Sequence, residues 1–196
     1  MKICMIGGKK PGFSLFEMLL VVALFMTSAV ILSQVFVSYN RLHRKIANLS
    51  VVGQDTRFAM ELIVRAVRNN QIDYTYEPLD VRREQLSLKT PDGGTIDIAR
   101  ITSDLCLDPL IEYCLGLSLD GGATWQPITA KRINVKNFDV YTLPLSSPFI
   151  QSGVSYSSNQ QPMTTINLGL EYMANDPKDN ARLQTQTTVT SRVYVR

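Results

Sequence analysis

The sequence predicts an α+β fold, in which a long N-terminal helix packs against an antiparallel β-sheet. The helix is indicated because no proline occurs from Phe13 to Glu77, because Gly53 is the only glycine there, and because the apolar period is close to 3.6. The sheet is indicated by a change of period to two after Pro78, with turn residues between the alternating runs.

The predicted helix opens with an apolar run, residues 13–37, whose single ionisable residue is Glu17. About 25 residues rising 1.5 Å each give roughly 37 Å, enough to span the ~30 Å hydrocarbon core of a bilayer. A carboxylate in such a segment costs roughly 2.5–3.5 kcal/mol on insertion scales. Glu17 is therefore a candidate functional residue that needs a partner. The alternative is an acid that reaches the membrane interface and complements the helix dipole.

The second half of the predicted helix, residues 38–70, carries one apolar stripe among charged residues. Asn69 and Asn70 form a plausible end, which gives a helix of about 58 residues and roughly 87 Å. Something downstream must cover the stripe. Its members are Leu42, Ile46, Leu49, Val52, Ala59 or Met60, Ile63 and Val67.

Alternating runs in residues 71–196 predict the strands. Two hairpins are expected, with turns at residues 91–94 and 120–122. Three further strands are expected, and residues 144–162, rich in Ser, Gln and Pro, predict a distal loop where a partner could bind. The residues that alternate in the three strands are Ile133, Val135, Phe138 and Val140, then Ile166, Leu168, Leu170 and Tyr172, then Leu183, Thr185, Thr187, Val189, Val193 and Val195.

The entry to the helix resembles a known processing signal. A Lys-bearing leader, residues 1–12, precedes the segment Phe13-Ser14-Leu15-Phe16-Glu17, and this arrangement is similar to that of bacterial type IV pilins and type II secretion pseudopilins. The resemblance implies that prepilin peptidase cuts between Gly12 and Phe13 and that the new Phe13 amine is methylated. It implies that Glu17 docks on the amine of a neighbouring subunit.

The same resemblance implies a location and a set of partners. The chain would cross the bacterial inner membrane once through residues 13–37, with its C-terminal domain outside the cytoplasm, and then enter a pilus or pseudopilus. Other pilin or pseudopilin subunits would contact the helix. Without the leader, 17 basic and 17 acidic residues remain, so no nucleic-acid partner is predicted.

A looser resemblance concerns the kind of subunit. The helix end at residues 54–63, the turn region at 119–129 and the Thr-rich segment at 183–192 are similar to larger minor pilins of the PilW kind or to the J-type minor pseudopilin. Proteins of those kinds prime or cap the fibre. A binding module at the fibre tip, which recognises a surface, DNA or an exported substrate, is the alternative function.

Processing of that kind would remove Cys4 and leave Cys106 and Cys114. An even pair of cysteines in an oxidising compartment predicts a disulfide, and closing so small a loop contributes about 2–3 kcal/mol in the chain-entropy model. Two free buried thiols are the alternative. A metal site would need more ligands than the single histidine, His43, can add.

The sequence contains no motif for catalysis or for a cofactor, so neither an enzyme nor a cofactor is predicted. The Asp-Gly-Gly segments at residues 92–94 and 120–122 are interpreted as turns rather than as phosphate or calcium sites. The acidic loop around Asp176 and Asp179 matches a calcium loop poorly. A further alternative is a conventionally secreted envelope domain, with its signal peptide cut after Ala29. A third function class, a signal-anchored enzyme of the envelope, would need catalytic residues that the sequence does not offer.

Overall fold

A computed structural model of the chain describes residues 12, 14–75, 82–149, 151–152, 155–156 and 160–192. Phe13, the boundary at Glu77 and Pro78, and the predicted strand residues Val193 and Val195 lie outside the described residues. The chain divides into two compact units, one ending at His43 and the other beginning at Arg44.

The first element, α1, runs from Leu15 to Asn69 and contains 55 residues. The absence of proline and the single glycine allow an unbroken backbone ladder. The helix ends near Asn69, as the sequence predicts. The Asn70 N–H donates to the Ala66 carbonyl at 3.1 Å and closes the last α-helical turn, and the Asn70 side-chain amide donates to the same carbonyl at 2.8 Å.

The first sheet is antiparallel and contains β1 (Gln71–Ile72), β2 (Gln85–Lys89), β3 (Thr95–Thr102), β4 (Tyr113–Ser118) and β5 (Gln126–Pro127), paired in that order. Both predicted hairpins are confirmed: β2 pairs with β3, and β4 pairs with β5. Gly93, Gly121 and Gly122 have positive φ angles in the two turns, which glycine adopts without a steric penalty.

The second sheet contains β6 (Ile133–Leu143), β9 (Met163–Tyr172) and β10 (Ala181–Thr190), all antiparallel, in the order β10-β9-β6. The prediction of a single sheet is therefore wrong. Alternation identifies strands, but their partners depend on contacts distant in sequence. Between the two main sheets, Arg83 and Val140 form an isolated antiparallel bridge.

The segment that the sequence predicts as a loop, residues 144–162, is not wholly irregular. It contains a third, very small sheet, in which β7 (Gln151–Ser152) pairs antiparallel with β8 (Ser155–Tyr156). Two-residue strands carry too little alternation to be recognised from sequence.

The core lies where both main sheets meet the second half of α1. Val52, Ala59, Ile63 and Val67 of the helix belong to one apolar cluster with residues from both sheets. These sheet residues include Leu86, Leu88, Ile98, Leu115, Ile133, Val135, Phe138, Ile166, Leu168 and Leu170, all at most 2 % exposed. The predicted α+β layout, with strands covering a helical stripe, is confirmed.

Hydrogen bonds fix this half of the helix to the sheets at both ends. The Asn48 side-chain amide donates to the Asp179 carbonyl at 2.9 Å, just before β10. The Arg192 N–H donates to the Arg68 carbonyl at 3.3 Å, just after β10. Strand β10 thus follows the helix from the level of residue 48 to the level of residue 68, and no register shift interrupts its pairing with β9.

Candidate functional site

The start of α1 is built around Ser14. The Glu17 N–H donates to the Ser14 hydroxyl at 3.3 Å and to the Ser14 carbonyl at 3.1 Å, and the Met18 N–H donates to the same carbonyl at 3.2 Å. Ser14 is therefore the N-cap, and it satisfies donors that a helix start leaves free. Gly12, the residue before the predicted cut, is exposed.

Our sequence reasoning missed this cap, although its signal is present. Ser14 and Glu17 have the Ser-x-x-Glu spacing of a capping box, in which the serine hydroxyl accepts from the backbone of the glutamate three residues on. Only the backbone N–H of Glu17 is used in this bond. The carboxylate is left available for another partner.

Glu17 is exposed among exposed apolar residues, with Phe16 at 74 % and Met18 at 55 %. Within the part of the chain that the structure describes, its carboxylate forms no ion pair. A negative charge in the first helical turn is stabilised by the helix dipole by about 0.3–1 kcal/mol. This is less than the roughly 2.5–3.5 kcal/mol that insertion of a carboxylate costs, so a Glu17 carboxylate buried in hydrocarbon needs a partner.

The apolar half of α1 has the length and composition required to cross a membrane. Its described side chains are exposed except Ala29, which is half-buried, and none of the candidate spanning window is buried inside the protein. A soluble core helix would hide such a surface, because exposed apolar patches of this size are rare on soluble monomers. The geometry is consistent with single-pass anchoring.

The stripe on the second half of the helix is covered only in part. Val52, Ala59, Ile63 and Val67 are buried as predicted, but Leu42, Ile46 and Leu49 are 58, 57 and 45 % exposed. The prediction that downstream strands cover the whole stripe is therefore wrong. Helical periodicity identifies the stripe but does not show how far along it the sheets reach.

Thr56 is a buried member of the stripe that apolar counting misses. Its hydroxyl donates to the Val52 carbonyl at 2.7 Å. A threonine can be buried on a helix when its hydroxyl bonds to the preceding turn in this way. The signal is its position, four residues after Val52 and three before Ala59.

The two cysteines that the sequence pairs are joined in the structure. Cys106 and Cys114 form a disulfide with their Cα atoms 5.8 Å apart. Cys114 is buried in a small cluster with Ala99 and Ile101, against which Trp125 packs. This cluster is separate from the main core, and Trp125 has a packing role in it.

The turn after β4 is stabilised by hydrogen bonds among its own side chains and backbone. The Asp120 carboxylate accepts from the Ser118 hydroxyl at 2.6 Å and from the hydroxyl and N–H of Thr124, at 2.6 and 2.9 Å. These bonds hold the pKa of Asp120 well below its ordinary value. Its contribution to stability is therefore present above the ordinary Asp pKa and lost as the pH falls below it. The arrangement supports the interpretation of this segment as a turn.

The loop between β9 and β10 is also held by its own side chains. Asp176 accepts from the Lys178 N–H at 3.0 Å and caps a short helical turn, Pro177–Asp179, and the Asn180 side-chain oxygen accepts from the Ala174 N–H at 2.9 Å. Among the described residues, no group of three or more His, Cys, Asp or Glu side chains has the arrangement of a metal site. His43 stacks on Tyr39 with ring centroids 6.3 Å apart.

The described residues thus define an α+β protein with one exposed apolar helix at its N-terminus, followed by a disulfide-bonded β-rich domain. No protein-family model, curated protein or solved structure matches this chain.

Proposed function

We propose that this chain is a subunit of a type IV pilus or a type II secretion pseudopilus, held in the inner membrane by α1 and assembled through it. The observation that carries the proposal is Glu17, a carboxylate on an exposed apolar helix with no ion-pair partner among the described residues. For an anchor alone, the stabilisation of this charge by the helix dipole does not offset the cost of inserting it in lipid. For a helix that must dock in a fixed register, a buried charge that pairs with a partner fixes that register.

The partner of Glu17 in this proposal is the amine of a neighbouring subunit. Cleavage after Gly12 would place that amine on Phe13, and a free α-amine has a pKa of about 7.7–8.0, so it is largely a cation at neutral pH. Both groups are costly in hydrocarbon when alone, and pairing removes much of that cost. The Ser14 cap supports this role, because it leaves the Glu17 carboxylate available.

We further propose that the chain is a minor subunit that primes or caps the fibre. This finer proposal rests on the resemblance of the helix end, the turn region and the Thr-rich strand to larger minor subunits. An unbroken helix is consistent with it, since α1 contains no proline at which it could melt during packing in a fibre.

Mass spectrometry of the membrane-inserted protein tests the proposal directly. We expect a terminus at Phe13 that carries one methyl group on its amine. Gly12→Ala should leave most processing intact because a small side chain still fits, whereas Gly12→Leu should block it. A terminus at Val30 would instead identify a conventional signal peptide and contradict the proposal.

A further inference from the structure

The disulfide closes a loop that presents apolar side chains to solvent. We call residues 103–112 the leucine loop; in it Leu105, Leu107 and Leu110 are 46, 53 and 77 % exposed. Large apolar side chains clustered on one short loop mark an interaction surface more often than scattered single ones do.

Local contacts restrain the leucine loop. Ile111 is only 2 % exposed and anchors the loop, while the Asp108 side chain accepts from the Leu110 N–H at 3.0 Å and its carbonyl accepts from the Ile111 N–H at 3.1 Å. The disulfide from Cys106, within the leucine loop, to Cys114 of β4 restrains the part of the loop that follows Cys106. A surface ordered before binding loses less conformational entropy when a partner arrives.

The leucine loop is also acidic. It contains Asp104, Asp108 and Glu112 and no basic residue. Asp104 and Glu112 are exposed, and neither forms an ion pair with any described residue. Its partner is therefore expected to combine an apolar surface with positive charge.

One surface of this chain has that chemistry. We call residues 44–49 of α1 the basic helix stretch; in it Ile46 and Leu49 belong to the stripe that the sheets leave uncovered. Arg44 and Lys45 are exposed, and no ion pair joins either of them to a described residue. Lys45 lies four residues before Leu49, so the two share one side of the helix.

We propose that the leucine loop of one copy of this chain docks on the basic helix stretch of a second copy. Leu105, Leu107 and Leu110 cover Ile46 and Leu49, and the acids of the loop face Arg44 and Lys45. The contact joins two different surfaces, so one such contact between two copies leaves one leucine loop and one basic helix stretch free. The inference deepens the proposed function and rests on it, because it names one contact by which copies held in the membrane by α1 meet.

Charge reversal in the full-length chain tests this contact. Two differently tagged copies are expressed together, one is captured from detergent-solubilised membranes, and recovery of the other is measured. Glu112→Lys in both copies, or Lys45→Glu in both copies, should lower recovery about fivefold, as expected for the loss of one exposed pair and the gain of a repulsion. The combined variant restores opposite charges and should return recovery to within about twofold of wild type.

Matched controls separate this surface from general effects of charge and polarity. Asp92→Lys reverses an exposed acid in the turn between β2 and β3 and should leave recovery unchanged. Leu110→Ser should lower recovery, whereas Leu119→Ser, at a leucine that is 65 % exposed outside the loop, should not.

The outcomes distinguish this inference from the proposed function. If Lys45→Glu lowers recovery and Glu112→Lys does not, the helix stretch contacts lipid or a different subunit, and the inference is overturned. Failure of the combined variant to restore recovery overturns it as well. If Glu17→Ala lowers recovery while the charge reversals at Glu112 and Lys45 leave it unchanged, the proposed assembly through α1 is supported and the contact with the leucine loop is overturned. The opposite pattern would keep the surface and remove the docking role of Glu17.

Discussion

The carboxylate of Asp55 on α1 accepts a hydrogen bond from the backbone N–H of Ala130, at 2.9 Å, in the connection between β5 and β6. This bond joins positions 75 residues apart in the sequence. It ties the covered half of the helix to the chain that enters the second sheet. Burial raises the pKa of Asp55 above its ordinary value, although the hydrogen bond from Ala130 acts in the opposite direction.

Asp55→Asn should increase stability at neutral pH. Because the pKa of Asp55 is raised in the folded state, its contribution is most favourable below the ordinary Asp pKa and is lost as the pH rises through the folded-state pKa. An asparagine oxygen can still accept from Ala130 but carries no charge. We expect the midpoint of chemical denaturation of the Asn variant to exceed that of wild type at pH 7, and the two to converge as the pH falls below about 4.

Asp55→Ala is the matched control for this prediction. It removes the charge and also the acceptor. Because Ala130 is exposed, water can take the place of the lost acceptor, so the Ala variant should be less stable than the Asn variant by about 0.5–1.5 kcal/mol. A lower midpoint for the Asn variant than for wild type at pH 7 would contradict the pKa argument.

Gly169→Ala should destabilise the second sheet. Gly169 pairs with Asn137 across β9 and β6, beside the register shift after Val135. A Cβ atom at position 169 would lie 2.9 Å from the Asn137 Cγ atom and would also meet its side-chain oxygen. We expect a loss of about 1–3 kcal/mol in denaturant unfolding, as for other overpacked sites.

A second substitution, at Asn137, can remove the steric contact that Gly169→Ala creates. The two polar side-chain atoms of Asn137 are enclosed and have no hydrogen-bond partner among the described residues. Asn137→Ala therefore removes no side-chain hydrogen bond to a described residue. Combined with Gly169→Ala, it should restore most of the stability that Gly169→Ala loses. Strictly additive effects of the two changes would mean that contact with Asn137 is not the cause.

Removal of the disulfide should reduce stability without abolishing the fold. The double variant Cys106→Ser and Cys114→Ser removes a cross-link between positions eight residues apart. In the chain-entropy model, closing such a loop stabilises the folded state by about 2–3 kcal/mol. The disulfide cluster is separate from the main core, so the core should survive. Circular dichroism during denaturation measures the change, and thiol titration of the denatured, unreduced protein checks the bond.

Cys4→Ser provides the background for that titration, because Cys4 is the remaining cysteine. In this background no free thiol should be detected without reductant, and two should appear after reduction. Two thiols before reduction would refute the bridge in the mature protein.

Glu17→Ala should leave membrane insertion intact, or slightly improve it, because removing a charge favours transfer into lipid. It should weaken docking with neighbouring subunits, because their Phe13 amine would lose its counter-charge. Recovery of partner subunits from solubilised membranes is the measurement. Leu24→Ala, a change at an apolar residue of the same helix, is the control and should have the smaller effect.

Equal recovery with wild type and Glu17→Ala would mean that Glu17 serves only the helix start. Glu17→Gln separates charge from shape: an amide of similar size can still hydrogen-bond but cannot neutralise an ammonium. Docking that is lost in both variants identifies the charge as the essential property.

Local rules were sufficient for the long helix and the longer strands of this fold. A helix that ends near Asn69 follows from the absence of proline and from the 3.6 period, and the hairpin between β2 and β3 follows from alternation around a Pro-Asp-Gly-Gly turn. Ser14 and Glu17 lie within one turn, so their capping bond was also readable from the sequence.

What the sequence alone determined is the order of the long helix and the longer strands, the apolar helix with its single acid, and the cysteine pair. Only the tertiary structure decided that the strands divide into two sheets, that Asp55 reaches Ala130, and that the sheets cover Val52 but not Ile46 or Leu49. The physical reason is the sequence separation over which each kind of interaction acts. Propensity, period and capping act over a few residues, whereas strand partners and burial depend on contacts between positions far apart in the chain.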